Sequence, residues 1–132
     1  MAVDREGPIQ KSIVAYLKQV MPDAVVHACA NESHLRGEAA MLATVRKKAQ
    51  GQVTGFPDLL VLPYATATAP VMFFEVKAPK GSASPAQREV HARIRRLGHK
   101  VAIVRSIDDV RDHLILWGVG FAEKIPLRGT IS

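Results

Sequence analysis

Asp58, Glu75 and Lys77 are the residues of this chain whose type and placement suit metal and phosphate chemistry. Asp58 follows Pro57 at the entry to the apolar run Leu59-Leu60-Val61-Leu62. Pro57 removes a backbone donor there and directs the chain. Glu75 and Lys77 lie near the end of a second apolar run that begins Val71-Met72-Phe73-Phe74. Side chains alternate along a strand, so Glu75 and Lys77 face one way, about 6.6 Å apart along the backbone. Phe74 and Val76 face the other way, into packing. A carboxylate and an ammonium on an otherwise apolar strand are costly unless paired, solvated or bound to a metal. If the two runs are neighbouring strands, Asp58 and Glu75 converge. A hard divalent cation relieves the repulsion of two such carboxylates, and Mg²⁺ is held by one or two carboxylates plus waters and phosphate oxygens. Lys77 then stands beside the bound water, where it orients that water, lowers its pKa or stabilises charge developing on the phosphate. Gln87, at the start of the next helix, is placed to hold the attacking water or a phosphate oxygen beside a helix N-terminus that favours anions. Gln87 also has a local role as the last residue of a Ser-x-x-Gln capping box.

The elements that must position these groups follow from periodicity and punctuation. Ile9, Ile13, Tyr16, Leu17 and Val20 form one apolar face, predicting a helix over 9–20 that Pro8 enters and Pro22 ends. Residues 24–30 read as a strand, and 37–51 as a weak helix or an ordered loop. Buried strands are predicted over 59–62 and 71–77, joined by a loop of small residues between Pro63 and Pro70. That connection is short, so the two strands are expected to be antiparallel. Ser84, Pro85 and Gln87 open a helix with Val90, Ile94 and Leu97 on its apolar face, and Gly98 ends it. A strand over 101–104 follows, then a helix over 107–117 that Ser106 and Asp109 cap and Gly118 stops. The strand–helix–strand from 71 to 104 is a right-handed parallel crossover. The expectation is one α/β domain spanning 1–132, a mixed sheet with helices on its faces.

Composition narrows the function classes. The chain has 132 residues, 48% hydrophobic and 23% charged, so it supports a packed core and is not wholly disordered. No apolar run is long enough to span a membrane, and Cys29 is the single cysteine, which excludes an internal disulfide and a cysteine zinc cage. No phosphate-cradling glycine loop of the Gly-x-x-x-x-Gly-Lys type is present, so no nucleotide cofactor is implied. A formal charge of +6 favours polyanions. One basic cluster is Arg46, Lys47 and Lys48, and another begins at Arg88 and runs to Arg105. With Lys80, the first cluster and Arg88 are the candidate DNA contacts. Seven aromatic residues do not provide a stacking platform for single strands, so backbone and shape recognition is expected. The five histidines show no His-x-x-x-His spacing, and none is expected to be catalytic or to bind zinc. His34 stands with Asn31, Glu32 and Arg36 in a polar stretch suited to DNA contact. Cys29 and Trp117 read as packing residues.

Gly55-Phe56-Pro57-Asp58, then Glu75-Val76-Lys77, then Gln87 together resemble the VRR-NUC (virus-type replication–repair nuclease) family of the PD-(D/E)XK nuclease superfamily. The resemblance runs over about residues 6–117 and takes in the Arg95-Arg96-Leu97-Gly98 turn and the Val101-to-Ser106 strand end. It implies a restriction-endonuclease-like α/β core of order αβββαβ and a phosphodiesterase dependent on Mg²⁺ or Mn²⁺. It implies that Asp58 and Glu75 bind the metal with the backbone carbonyl of Val76, that Lys77 is the catalytic lysine, and that Gln87 is the extra motif glutamine. Family members also use a glutamate at the first helix, for which Glu6 is the best match. Stand-alone members resemble small phage-encoded nucleases that act as homodimers on branched DNA, which implies a cytoplasmic place in a host cell and a task in replication, recombination or repair. The competing expectations are a non-catalytic basic nucleic-acid-binding module on the same fold and a basic structural protein whose acids are merely ion-paired.

Overall fold

The computed structural model describes residues 4–29, 37–63 and 70–121. The element order is α1 (Glu6–Val20), β1 (Val25–Ala28), α2 (Gly37–Ala49), β2 (Leu59–Leu62), β3 (Met72–Val76), α3 (Pro85–Arg96), β4 (Lys100–Val104) and α4 (Ile107–Leu116). The four strands form one sheet in the order β1-β2-β3-β4. β1 and β2 are antiparallel, as are β2 and β3, while β3 and β4 are parallel across the α3 crossover.

Most boundaries agree with the sequence reading. The main difference is α1, which begins at Glu6 rather than Ile9. Asp4 Oδ1 accepts the Gly7 N–H at 2.8 Å and so satisfies a donor at the helix start. Pro8 falls inside the first turn, where its missing N–H breaks no helical hydrogen bond. Glu6 is therefore a residue of the helix and not of a leading tail. β1 is shorter than the predicted 24–30, and 37–49 is a helix, one of the two readings that its weak pattern left open. The small-residue loop at 64–69 and the polar stretch containing Asn31, Glu32, His34 and Arg36 lie outside the described residues.

β3 is one of the two inner strands, and all five of its residues are buried. Its two faces differ. Met72, Phe74 and Val76 pack with Leu59, Val61, Ala102 and Val104 against α1 and α4, through Ile13, Leu17, Val110 and Leu114. Trp117, just beyond α4, stacks on Phe74 at 5.6 Å between ring centroids. The other face carries Phe73, which packs with Leu60, Val101 and the α3 residues Val90 and Ile94. Phe56 meets Phe73 edge-on at 5.4 Å. This second cluster is smaller. It ends where β3 passes from Phe73 to Glu75, the next side chain on the α3 side.

The start of α3 is fixed locally. Ser84 accepts the Gln87 N–H and Gln87 reaches back to the Ser84 N–H, the capping box expected from the sequence. At its C-terminal end Leu97 is the cap residue and Gly98 follows with φ 89°. Among the described residues no helix is long and apolar enough to cross a membrane.

Candidate active site

The β2–β3 register pairs Leu59 with Phe74 and Leu60 with Phe73. Extending it by one residue sets Asp58 opposite Glu75, on the face that α3 covers. Asp58 Oδ2 accepts the Val76 N–H at 2.7 Å, so the aspartate side chain continues the strand pairing where the β2 backbone has left it. The Cys29 N–H donates to the Asp58 carbonyl at 2.7 Å and anchors the same residue from β1's side. The Lys77 N–H donates to the Val104 carbonyl at 3.0 Å, toward β4. In an extended strand the N–H and C=O of one residue point the same way. The Val76 carbonyl therefore faces the Asp58 side.

Glu75 is 1% exposed. A carboxylate so buried needs partners for both oxygens. Oε1 lies 3.3 Å from His91 Nε2, and Oε2 accepts from Gln87 Nε2 at 3.1 Å. Lys77 Nζ is 3.8 Å from the same Oε2. Gln87 thus does two things at once. Its Oε1 accepts the Ser84 N–H at 2.9 Å, and only a donor nitrogen is then left to face Glu75. The capping box fixes which way the amide points, and the amide holds the glutamate.

The loop before Asp58 is pressed onto the start of α3. Gly55 has φ 88°, and a Cβ placed on it would lie 2.6 Å from the carbonyl carbon and oxygen of Ala86 and 2.9 Å from the Gln87 nitrogen. Only glycine allows this approach in this conformation. The loop after Lys77 is tied by two guanidinium groups. Arg88 donates to the Ala83 carbonyl at 2.5 Å and Arg105 to the Gly81 carbonyl at 2.7 Å.

Burial, a hydrogen bond to Glu75 and the charge of Glu75 push the Asp58 carboxyl up to about 7, against the Val76 N–H, which pulls it down. The charge of Glu6 adds to the upward shift, so the first turn of α1 is within electrostatic reach of Asp58. Burial and Asp58 likewise raise the Cys29 thiol. A carboxyl with its folded pKa above its unfolded value of 3.8 stabilises the fold at low pH, and that contribution is lost as pH rises from about 4 through about 7. Asn mimics the protonated acid and still accepts the Val76 N–H. Urea unfolding of metal-free protein should therefore find Asp58→Asn close to the parent at pH 5 and more stable than the parent at pH 8. An equal stability difference at both pH values would contradict the shift.

Two facing carboxylates, one of them pushed up by the charge of the other, suit a hard divalent cation with oxygen ligands. Among the described residues no three His, Cys, Asp or Glu side chains form a ready-made cage. A cation such as Mg²⁺ or Mn²⁺ that keeps several waters and takes few protein ligands would suit such a sparse set of donors.

The structure therefore brings Asp58, Glu75, Lys77 and Gln87 together and sets Glu6 within reach. His91 was not expected from the sequence. It is 2% exposed and touches Glu75 directly. The available signal was its spacing from Gln87, one helical turn later and hence on the same face of α3. Of the candidate DNA contacts, Arg46 and Lys48 are exposed on α2, Lys80 is exposed in the loop after β3, and Arg88 is on α3 with one guanidinium nitrogen already used to hold Ala83. The Lys47 side chain lies outside the described residues.

Comparison with known proteins agrees with this fold. A solved structure described as a VRR_NUC domain protein superposes with a TM-score of 0.67 at 18% identity, covering 95% of this chain and 98% of the other. A second, described as a VRR_NUC domain, gives a TM-score of 0.57 at 27% identity, covering 86% of this chain and 97% of the other. No curated protein matches the chain in sequence. The fold is thus a restriction-endonuclease-like α/β core, with α2 inserted between β1 and β2 and α4 added after β4. The family match itself covers residues 5–108, from the first turn of α1 through the start of α4, and so places this chain in the VRR-NUC domain family of nuclease-type proteins.

Proposed function

We propose that this chain is a divalent-metal-dependent DNA endonuclease that hydrolyses phosphodiester bonds. The observation that carries the reading is the paired Asp58 and Glu75 carboxylates with Lys77 Nζ 3.8 Å from Glu75. A binding module has no use for two converging acids on a basic protein, whereas hydrolysis of a phosphodiester does. Asp58, Glu75 and the Val76 carbonyl would hold Mg²⁺ or Mn²⁺, with Glu6 a further acidic group at its margin. When bound, the cation supplies Lewis-acid polarisation of the phosphate and a lowered pKa for attacking water.

The protein's own residues do the rest. Lys77, its ammonium held against Glu75, orients the water and stabilises negative charge that develops on the phosphate oxygens. Water adds to phosphorus and gives up a proton to solvent, the bond to the leaving oxygen breaks, and the leaving oxygen takes up a proton from solvent, so that one water is consumed per bond cut. Gln87 keeps Glu75 from turning away. Arg46, Lys47, Lys48, Lys80 and Arg88 bind phosphates along the strand and fix its register, contacts that carry no sequence information. The proposed substrate is branched DNA such as a four-way junction, and the proposed assembly is a homodimer that brings one site to each of two strands. Both extensions rest on the likeness to stand-alone family members, as does a task in replication, recombination or repair.

The test compares a labelled four-way junction with a matched linear duplex, in Mg²⁺, Mn²⁺ or EDTA, using the parent protein and Lys77→Ala. Cleavage that needs metal, that favours the junction and that Lys77→Ala lacks is the expected result. Full cleavage by Lys77→Ala would sink the mechanism. Binding of both DNAs without cleavage in any metal would favour the non-catalytic module.

A further inference from the structure

His91 is the buried polar side chain of α3 that the proposed mechanism leaves without a task. Its neighbours on the helix's inward face, Val90 and Ile94, are apolar and pack on Phe73 and Val101. An imidazole among such groups is unfavourable unless its nitrogens are paired. Its Nε2 lies 3.3 Å from Glu75 Oε1. The glutamate is thus held at both oxygens from one helix: Oε1 by His91 and Oε2 by Gln87, one turn earlier. With Gln87 and Lys77 alone, both contacts would fall on Oε2, and the carboxylate would be free to rotate about its last side-chain bond. Oε1 would then lose its place.

The geometry points to His91 as a positioning residue that fixes the Glu75 carboxylate in its metal-binding orientation, an inference that rests on the nuclease reading above. His91 touches neither DNA nor the reacting atoms and acts through Glu75 alone. Partners of this kind, which hold a metal-binding carboxylate from behind, change metal affinity or activity by about 10–100-fold when removed.

The test uses the full chain with His91→Leu and His91→Gln. Mn²⁺ affinity is measured by calorimetry on protein without DNA, cleavage is followed against Mn²⁺ concentration, and KM for DNA is measured at saturating Mn²⁺. His91→Leu should weaken Mn²⁺ binding by about 10–100-fold and move the Mn²⁺ midpoint of cleavage to match, with KM for DNA unchanged. His91→Gln, whose amide nitrogen donates to the same oxygen, should recover most of the loss. Parent-like Mn²⁺ affinity in His91→Leu would overturn the inference. So would an equal loss in both variants that tracks a lowered melting temperature, since that is the behaviour of a packing residue. Failure of the parent protein itself to bind Mn²⁺ or to cleave overturns the nuclease reading, and this inference with it.

Discussion

Glu75→Gln is expected to lower cleavage by about 10³-fold or more while leaving a folded protein. Glutamine has the volume of glutamate and keeps an acceptor oxygen for one of the two donors on α3. It removes the negative charge that the proposed site needs to hold a cation beside Asp58. It also removes the charge that helps push the Asp58 carboxyl up to about 7. The metal-free variant should therefore be more stable than the parent at pH 8, where the parent must bring two ionised carboxylates together. Loss of activity combined with a gain in stability marks a site strained for function. Thermal unfolding in EDTA and cleavage in Mn²⁺ measure the two halves separately. A large fall in melting temperature would mean that Glu75 is mainly a structural ion-pair partner of Lys77.

Gly55→Ala carries the second large effect, and it acts through the backbone. The position has φ 88°, a conformation that L side chains rarely adopt. The added Cβ would lie within 2.6 Å of Ala86 backbone atoms. Strained backbone costs of order 1–3 kcal/mol and overpacking against a rigid neighbour costs about as much again, so a destabilisation of roughly 3–5 kcal/mol follows. Relief of the clash pushes the 55–58 loop away from α3, which separates Asp58 from Glu75. Activity should fall further than loss of folded protein explains. Urea unfolding set beside cleavage per folded molecule checks this. A stable and active Gly55→Ala would show that the loop does not need its close seat on α3.

The parts of the fold set by neighbours in sequence were legible without coordinates. The capping box at Ser84 and Gln87, the stop at Gly98, and the apolar runs of β2 and β3 are local patterns with local causes. The parallel pairing of β3 and β4 across α3 followed from the strand–helix–strand order. What was not legible lacked so clear a local pattern. The start of α1 at Glu6 depends on Asp4 reaching the Gly7 N–H, a cap one residue ahead of the usual position. α2 exposes Met41, Leu42 and Val45, and none of its described side chains is buried, so they show no buried face of the kind that makes a helix readable.

The same division runs through the site. Asp58 and Glu75 could be paired from strand order, and the register sets them opposite each other. Gln87 offered a capping role and a role in holding water or phosphate; its amide oxygen caps α3, and its nitrogen holds Glu75, a partner that the sequence reading did not name. His91 stayed hidden because a histidine on an apolar helix face has no signature of its own. Its partner lies sixteen residues earlier on a strand, and only the packing of α3 over β3 joins them.

The central claim is that Asp58 and Glu75 hold a cation for phosphodiester hydrolysis. It is tested most directly by incubating a labelled four-way junction with parent protein and with Glu75→Gln, each in Mn²⁺ and in EDTA. The account predicts cleavage by the parent in Mn²⁺ alone and none in the other three reactions. Cleavage by Glu75→Gln at the parent rate, or by the parent in EDTA, would contradict it.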